Sequence, residues 1–298
     1  MPWIQAIVDI QPEQAEAIED LLLAIGAQAV TLTDAADQPI YEPKLGTTPL
    51  WDKSQLIALF DAEQPLAYQM QQLSALYQAE TGEDFPNFKL ELVEDKDWER
   101  AWMDNFKPIQ CGERLWICPS WLDEPDPNAV NLKLDPGLAF GTGTHPTTFL
   151  CLQWLDGQDV SGKTVVDFGC GSGILGIAAL LLDAKYMLGI DIDPQAVLAT
   201  NDNAGRNSIN SNQYDVYLPE DAPVTQSDIV LANILAGPLV ELKDAILAYL
   251  KPQGDLVLSG ILESQAQTVV EAYAADCDDL QVAVEGDWVR ITGRKRAA

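Results

Sequence analysis

The stretch Val165-Val166-Asp167-Phe168-Gly169-Cys170-Gly171-Ser172-Gly173-Ile174-Leu175 limits the possible folds of this chain more than any other. An apolar, β-branched run ends at an acid, breaks into three glycines at alternate positions, and resumes as a long apolar helix through Ala178, Ala179 and Leu182. That pattern reads as strand, tight loop, helix. Glycines have no Cβ to bar positive φ or to block contact with bare backbone, so a ligand can come close to such a loop. The loop amides and the N-terminus of the following helix are expected to supply orphan donors and a positive dipole end. The spacing is G-x-G-x-G, one residue tighter than the G-x-G-x-x-G fingerprint of pyrophosphate-binding dinucleotide folds. Taken alone, the loop is also compatible with a simple tight turn.

A second apolar strand, Tyr186-Met187-Leu188-Gly189-Ile190-Asp191-Ile192-Asp193, follows about twenty residues after the loop and ends in acids. In open α/β sheets an acid at that position accepts hydrogen bonds from ribose hydroxyls. Asp193 precedes Pro194 and suits a helix N-cap with proline at the first helical position. Asp191 is therefore assigned to a ligand and Asp193 to the cap.

The chain has 298 residues, enough for a sizeable core and for two or three domains. Its 46 acids against 17 bases give a formal net charge of −29. An acidic surface of that size repels phosphate backbones and attracts basic partners, which argues against a nucleic-acid substrate and for a strongly basic protein. General solubility, or an acidic proteome, accounts for the same charge. No stretch is apolar for the roughly 18 residues needed to cross a bilayer, and the start Met1-Pro2-Trp3-Ile4 lacks a basic leader region. A soluble, unprocessed, cytoplasmic protein is expected. Five cysteines without C-x-x-C spacing read as free thiols in a reducing compartment, with no metal site. Cys170, inside the loop, reads as a small buried hydrophobe rather than a nucleophile.

Residues 1–95 read as a separate unit. Strands are expected at Trp3 to Val8, Ala29 to Leu32, Leu56 to Phe60 and Phe88 to Val93, with helices from Pro12 to Ile25, stopped by Gly26, and from Pro65 to Ala79. The order β-α-β-β-α-β is that of a ferredoxin-like α+β domain. It contains no His, no Cys and no Gly-rich phosphate loop, so recognition rather than chemistry is its expected task. Residues 96–125 form a Trp-rich connector. Trp98 and Trp102 share a helix face at i and i+4, and Trp116 and Trp121 are expected in short strands.

Residues 126–298 hold the Gly loop. Ahead of it, Leu134 to Thr148 is a Gly/Thr-rich loop leading to a helix near Pro146, expected to close over a ligand with Thr148 in the first helical turn. His145, the only histidine, has two readings: a cap or loop residue, or a general base. After the loop, Asp228 to Asn233 is expected to be the fourth strand, and Asp255 to Gly260 another. A helix to about Ala275 and an antiparallel pair at Leu280 to Val284 and Trp288 to Thr292 complete the chain. A parallel sheet with an antiparallel edge hairpin, a G-x-G-x-G loop after one strand and an acid after the next fits adenosylmethionine-dependent methyltransferases better than dehydrogenases.

The segments Leu134 to Thr148, Val166 to Leu175, Gly189 to Pro194, Ala232 to Pro238 and Trp288 to Lys295 resemble the bacterial methyltransferases that trimethylate large-subunit ribosomal protein eleven. The likeness covers nearly the whole chain. It implies a class I, Rossmann-like methyltransferase sheet, with S-adenosyl-L-methionine as cofactor and S-adenosyl-L-homocysteine as product. It further implies that the N-terminal domain binds the basic ribosomal protein, free or on the ribosome, and that lysine and N-terminal amines receive the methyl groups. The family's cofactor contacts fall on Thr148, Gly169, Asp191 and Asn233, and Gly171 joins them from the loop.

Many amine methyltransferases carry an Asn/Asp-Pro-Pro-aromatic loop after the fourth strand, whose oxygens accept hydrogen bonds from the amine. Here Asn233-Ile234-Leu235-Ala236 keeps the Asn and lacks the prolines and the aromatic. Asn233 is the expected catalytic residue, with Ala236 and Gly237 leaving room for a partly methylated amine. Three other functions share parts of this pattern. A methyltransferase acting on RNA, a small molecule or another basic protein shares the core, an NAD-dependent oxidoreductase shares the sheet, and a non-catalytic module shares adenosylmethionine binding alone.

Overall fold

The structure is a computed structural model that describes residues 3–36, 38, 40, 49–93, 106–135, 143 and 145–297. The chain divides into two compact units, Met1–Met103 and Asp104–Ala298.

In the first unit short apolar runs make the strands, and the pleat turns every second residue of Ser54–Asp61 inward. The elements are β1 (Trp3–Ile10), α1 (Ala15–Ala24, entered through a 3-10 turn at Pro12–Gln14), β2 (Ala29–Asp34), β3 (Ser54–Asp61), α2 (Leu66–Thr81) and β4 (Phe88–Val93). The sheet runs β2-β3-β1-β4 and every neighbouring pair is antiparallel, the ferredoxin-like arrangement expected from the element order. Ala6 and Val8 of β1 and Leu56, Ala58 and Phe60 of β3 are buried with Ile18 and Leu22 of α1 and Met70 and Leu73 of α2.

The second unit opens with a small sheet of β5 (Ile109–Gln110), β6 (Leu115–Cys118) and β7 (Val130–Lys133). There follow α3 (Pro146–Asp156), β8 (Thr164–Phe168), α4 (Ile174–Leu181), β9 (Tyr186–Ile190), α5 (Pro194–Arg206), β10 (Tyr214–Tyr217) and β11 (Ser227–Asn233). The chain ends with α6 (Ala236–Glu241), α7 (Lys243–Ala248), β12 (Leu250–Leu262), α8 (Ala266–Tyr273), β13 (Cys277–Glu285) and β14 (Trp288–Lys295). The large sheet has the order β10-β9-β8-β11-β12-β14-β13. Strands β8 to β12 are mutually parallel, and β14 runs antiparallel to both β12 and β13. The expected hairpin is therefore present with its second strand inserted inside the sheet, so that β13 forms the edge. Chain order reverses between β8 and β11, and at such a switch point a crevice opens beyond the carboxyl ends of the strands.

One face of this sheet packs Ile177 and Leu180 of α4, Leu152 and Leu155 of α3, and Leu115, Ile117 and Leu132 of the small sheet. The other buries Leu239, Ile246, Val269 and Tyr273 against Val230, Leu258 and Ile291. Covering both faces is what a mostly parallel sheet requires.

Several expectations shift. The helix after the Gly loop is short, ending at Leu181 with Asp183 at φ +74° rather than continuing as a long helix. Trp98 and Trp102 lie outside the described residues. Trp116 is in β6 as expected, but Trp121 lies in a turn, where the amide of Leu122 bonds back to the carbonyl of Pro119. From residue 106 onward the stretch read as a connector contributes its strands to the second unit's own core.

The tie between that small sheet and α3 is the buried carboxylate of Asp156. Its Oδ2 accepts from the amide of Glu113 at 2.6 Å and its Oδ1 from that of Arg114 at 3.1 Å. Asp156→Ala strips two amides of their acceptor and should cost about 2 to 4 kcal/mol of unfolding free energy in a urea titration. Asp156→Asn keeps one acceptor oxygen and should cost less.

Candidate functional site

Four of the five residues singled out above stand at carboxyl ends of neighbouring strands. Gly169 and Gly171 follow β8, Asp191 follows β9, and Asn233 ends β11. Thr148 reaches the same place from the first turn of α3.

Each glycine of the loop adopts positive φ, +75° at Gly169, +54° at Gly171 and +76° at Gly173. The loop satisfies itself. The amides of Gly169 and Cys170 donate to the carbonyl of Ile190 at 2.7 and 3.1 Å, and Gly173 donates to that of Cys170 at 2.7 Å. Gly171 donates to Asp191 Oδ2 at 2.8 Å. The expectation that these loop amides are orphan donors is thus corrected: four of them are spent holding the turn, and what the loop offers a ligand is shape and close approach.

Its carbonyls are held from α5. Thr200 Oγ1 donates to the carbonyl of Gly171 at 3.1 Å, and Asn203 Nδ2 to that of Ser172 at 2.8 Å. A Cβ on Gly173 would lie 2.6 Å from Thr200 Cγ2, which accounts for the third glycine. The same helix grips the segment that leads into the Gly/Thr-rich stretch. Asn207, just past its end, accepts from the Lys133 amide at 2.7 Å and donates to the Lys133 carbonyl at 2.8 Å, while Arg206 Nε pairs with Asp135 at 3.3 Å. Thr200 and Asn203 were not singled out in the sequence, although two polar side chains at i and i+3 on an otherwise packed helix face were the available signal.

Asp191 is half-buried and its two oxygens accept one amide each, from Gly171 at 2.8 Å and from Asp193 at 2.9 Å. A carboxylate has about four lone-pair positions, so two remain for a ligand hydroxyl. Beside it Ile192 is 85% exposed, an apolar surface next to the acid that the sequence reading passed over. Asp193 caps α5 as expected, accepting from the Gln195 amide at 2.8 Å. Cys170 is buried and its thiol pKa is pushed far up, first by burial and then by the charge of Asp167, as suits a small hydrophobe. Asp167 is itself fully buried, and its Oδ2 accepts from the Gly176 amide at 2.9 Å. Burial, with the negative charge of Asp191 adding to it, pushes its pKa up to about 7 despite that hydrogen bond.

Of the two readings of His145, the structure carries the cap. It is the N-cap of α3, its Nδ1 accepting from the Thr147 amide at 3.3 Å, and its ring lies edge-on to Trp288 with centroids 4.7 Å apart. Burial pushes its pKa down. Thr148 is fully buried, and Asn233 Nδ2 donates to Thr148 Oγ1 at 3.1 Å. That bond uses the amide's donor end and leaves Oδ1 as an acceptor. Residues 136–142 and 144 of the Gly/Thr-rich loop lie outside the described residues. Within that loop, a Cβ on Gly143 would lie 2.3 Å from Ile117 Cδ1 and 3.1 Å from Ile174 Cδ1, against the start of α4.

The donor set suits an adenosyl ligand. An acid with spare lone pairs would suit a sugar diol, a glycine cradle would admit the chain between sugar and sulfur, and an amide oxygen would accept from an N–H. A cleft of about 560 Å³ lined by Gly112, Arg114, Asp156 and Gln158 belongs to the other end of α3 and contains none of these residues.

Residues 2–296 match the family model described as ribosomal protein L11 methyltransferase (PrmA). The chain is 56% identical over 296 residues to the ribosomal protein L11 methyltransferase of Pseudomonas syringae pv. tomato, covering 99% of this chain and all of that one. It is also 56% identical over 298 residues to that of Cellvibrio japonicus, covering both in full. Among solved structures, the ribosomal protein L11 methylase of Lactobacillus delbrueckii subsp. bulgaricus superposes with a TM-score of 0.57 at 32% identity, over 64% of this chain and all of that chain.

The raised pKa of Asp167 fixes a pH dependence. Between the ordinary carboxyl value of 3.8 and about 7, the folded chain keeps a proton that the unfolded chain has released. Stability should therefore decline as pH rises through that window and level off above it. Asp167→Asn keeps an acceptor for Gly176 and should remove this part of the slope in melting temperatures recorded from pH 4.5 to about 8.

Proposed function

Because the chain belongs to the ribosomal protein L11 methyltransferase family, we propose that it methylates lysine side-chain and N-terminal amines of ribosomal protein L11, with S-adenosyl-L-methionine as donor and S-adenosyl-L-homocysteine as product. The observation that carries the reading at the level of residues is the hydrogen bond from Asn233 to Thr148, which occupies the amide nitrogen and leaves the Asn233 oxygen as an acceptor.

Asp191 would hold the ribose hydroxyls and Gly169 and Gly171 would let the ligand come close, while Thr148 sets the rotamer of Asn233. The bound cofactor supplies a sulfonium methyl that is already activated for attack by an amine. The task left to the chain is alignment, and orientation of this kind is worth about 7 to 11 kcal/mol. For a primary or monomethyl amine, Asn233 Oδ1 accepts from the N–H and so directs the nitrogen lone pair. A lysine with pKa about 10.4 must first lose a proton, at a cost near pH 7 of roughly 4 to 5 kcal/mol. Removal of the amine from bulk water on docking lowers that cost, and the proton leaves to solvent. The next loop residues are small: Ala236 is buried, and a Cβ on Gly237 would meet open space, so an amine already bearing methyls has room.

Charge supports a basic protein substrate. The first 103 residues carry 19 acids and 5 bases, so the non-catalytic unit is as acidic as the rest. We assign residues 1–95 to recognition of L11 and 126–298 to methyl transfer, with residues 106–125 built into the core of the latter's unit. The described residues contain no helix long and apolar enough to cross a membrane, and we assign the protein to the cytoplasm, where its substrate is made.

The test is transfer of labelled methyl from S-adenosyl-L-methionine into unmethylated ribosomal material, separated into single proteins and RNA. Label in L11 alone is expected; label in RNA or in small molecules removes the substrate assignment. Asp191→Ala should raise the KM for the cofactor about ten- to a hundredfold, the value of a charge-assisted hydrogen bond. Asn233→Ala should lower kcat at saturating cofactor about a hundredfold, and a wild-type rate from it removes the acceptor role.

A further inference from the structure

The residue after the proposed acceptor is held on two sides by missing β-carbons. A Cβ built on Gly169 would lie 2.3 Å from Ile234 Cγ2. One built on Gly260 would lie 2.3 Å from the Ile234 carbonyl oxygen, 2.7 Å from its carbonyl carbon and 3.1 Å from its nitrogen. The first contact involves a side chain and the second only backbone, so the second has no rotamer by which to relax. Gly260 has φ +84° and sits where the β12–β14 register shifts between Leu258 and Ile261. Glycine at a bulge is a recurrent way to bring one backbone close to another. Neighbouring residues are already tied down: Ser259 Oγ lies 3.2 Å from the carbonyl of Thr147 and 3.0 Å from that of Val289, and Thr147 is next to Thr148.

We propose that Gly260 is a positioning residue for methyl transfer, acting through Ile234 to set where Asn233 holds the amine. The bulge in β12 is a seat for the Ile234 peptide, and the Gly loop is the opposing wall for its side chain. Asn233 is thus located from both directions, by Thr148 at its amide and by the Gly260 seat at the next peptide. Nothing in this arrangement touches the reacting atoms. Its effect is on their alignment, and a misplacement of the order of 1 Å is enough to cost about a hundredfold in rate.

The proposal rests on the reading of Asn233 as acceptor, and the test separates the two. In Gly260→Ala the added methyl must displace the Ile234 peptide, so kcat toward L11 should fall about ten- to a hundredfold, while affinity for S-adenosyl-L-homocysteine by calorimetry stays within about threefold. Gly254→Ala is the comparison. It lies in the same strand, and its Cβ would come within 2.6 Å of Leu250 Cδ1 and 2.9 Å of the Lys251 carbonyl. It should lower the melting temperature and leave kcat unchanged. A kcat loss in Gly260→Ala no greater than in Gly254→Ala overturns the proposal. A second pair covers the case in which Gly260→Ala does not fold: Ile234→Val keeps the β-branch that meets Gly169 and should keep turnover, whereas Ile234→Ala should lose it. Equal turnover in that pair likewise overturns the proposal. If Asn233→Ala is impaired and these variants are not, the positioning role alone fails; if Asn233→Ala is unimpaired, the acceptor reading has failed first.

Discussion

Backbone approaching its neighbours without an intervening β-carbon is the constraint on which the rest of the second unit depends. The strand ends of a parallel sheet bring several loops to one edge, and each must turn sharply there without filling the crevice it borders. Gly169 and Gly173 let the first loop lie against Ile234 and Thr200. Gly260 does the same for the loop after β11. Once the segments are this close, short-range hydrogen bonds fix them: Ile190 and Asp191 take the loop's amides, and Thr200 and Asn203 take two of its carbonyls. The turn is then determined before any ligand arrives. Pre-organisation of this sort lowers the ordering cost that binding would otherwise bear.

The readable parts of the sequence were those whose cause is local. Three alternate glycines after an apolar run and an acid before proline each act within a few residues, and the structure has them where expected. Less legible were features whose cause is distant in the chain. Strands β5 and β7 have two and four residues, too few for a period to register. Strand β12 runs for 13 residues through Pro252 and Gly254, residues that read as a turn when seen alone. The insertion of β14 between β12 and β13 is a matter of topology, which alternation along each strand cannot express. Most telling is the Gly loop. Its donors looked available from sequence, yet three of them are consumed by the carbonyl of Ile190 and the carboxylate of Asp191, about twenty residues away, and a fourth by the carbonyl of Cys170.

Burial also sorts the acids of this very acidic chain into different roles. Most face water, and their sum gives the surface its field. Asp156 is buried and its carboxylate is matched by two amides, so it acts as a structural clamp. Asp167 is buried with one amide and a second carboxylate in its field, and it titrates near neutrality instead. Asp191, half-buried and partly satisfied, keeps some unused acceptor capacity, which is what separates a ligand-holding acid from the other two.

Helix α5 grips the Gly loop through Thr200 and Asn203 and grips Lys133 and Asp135 through Asn207 and Arg206. Two walls that are far apart in the chain are therefore gauged from one beam. A slide of that helix by even a fraction of a turn would carry both walls with it, keeping their separation while shifting them together against the ends of β8 and β11. The dimension protected most strongly is the distance between the two segments, because it is set by the spacing of these four residues along one helix.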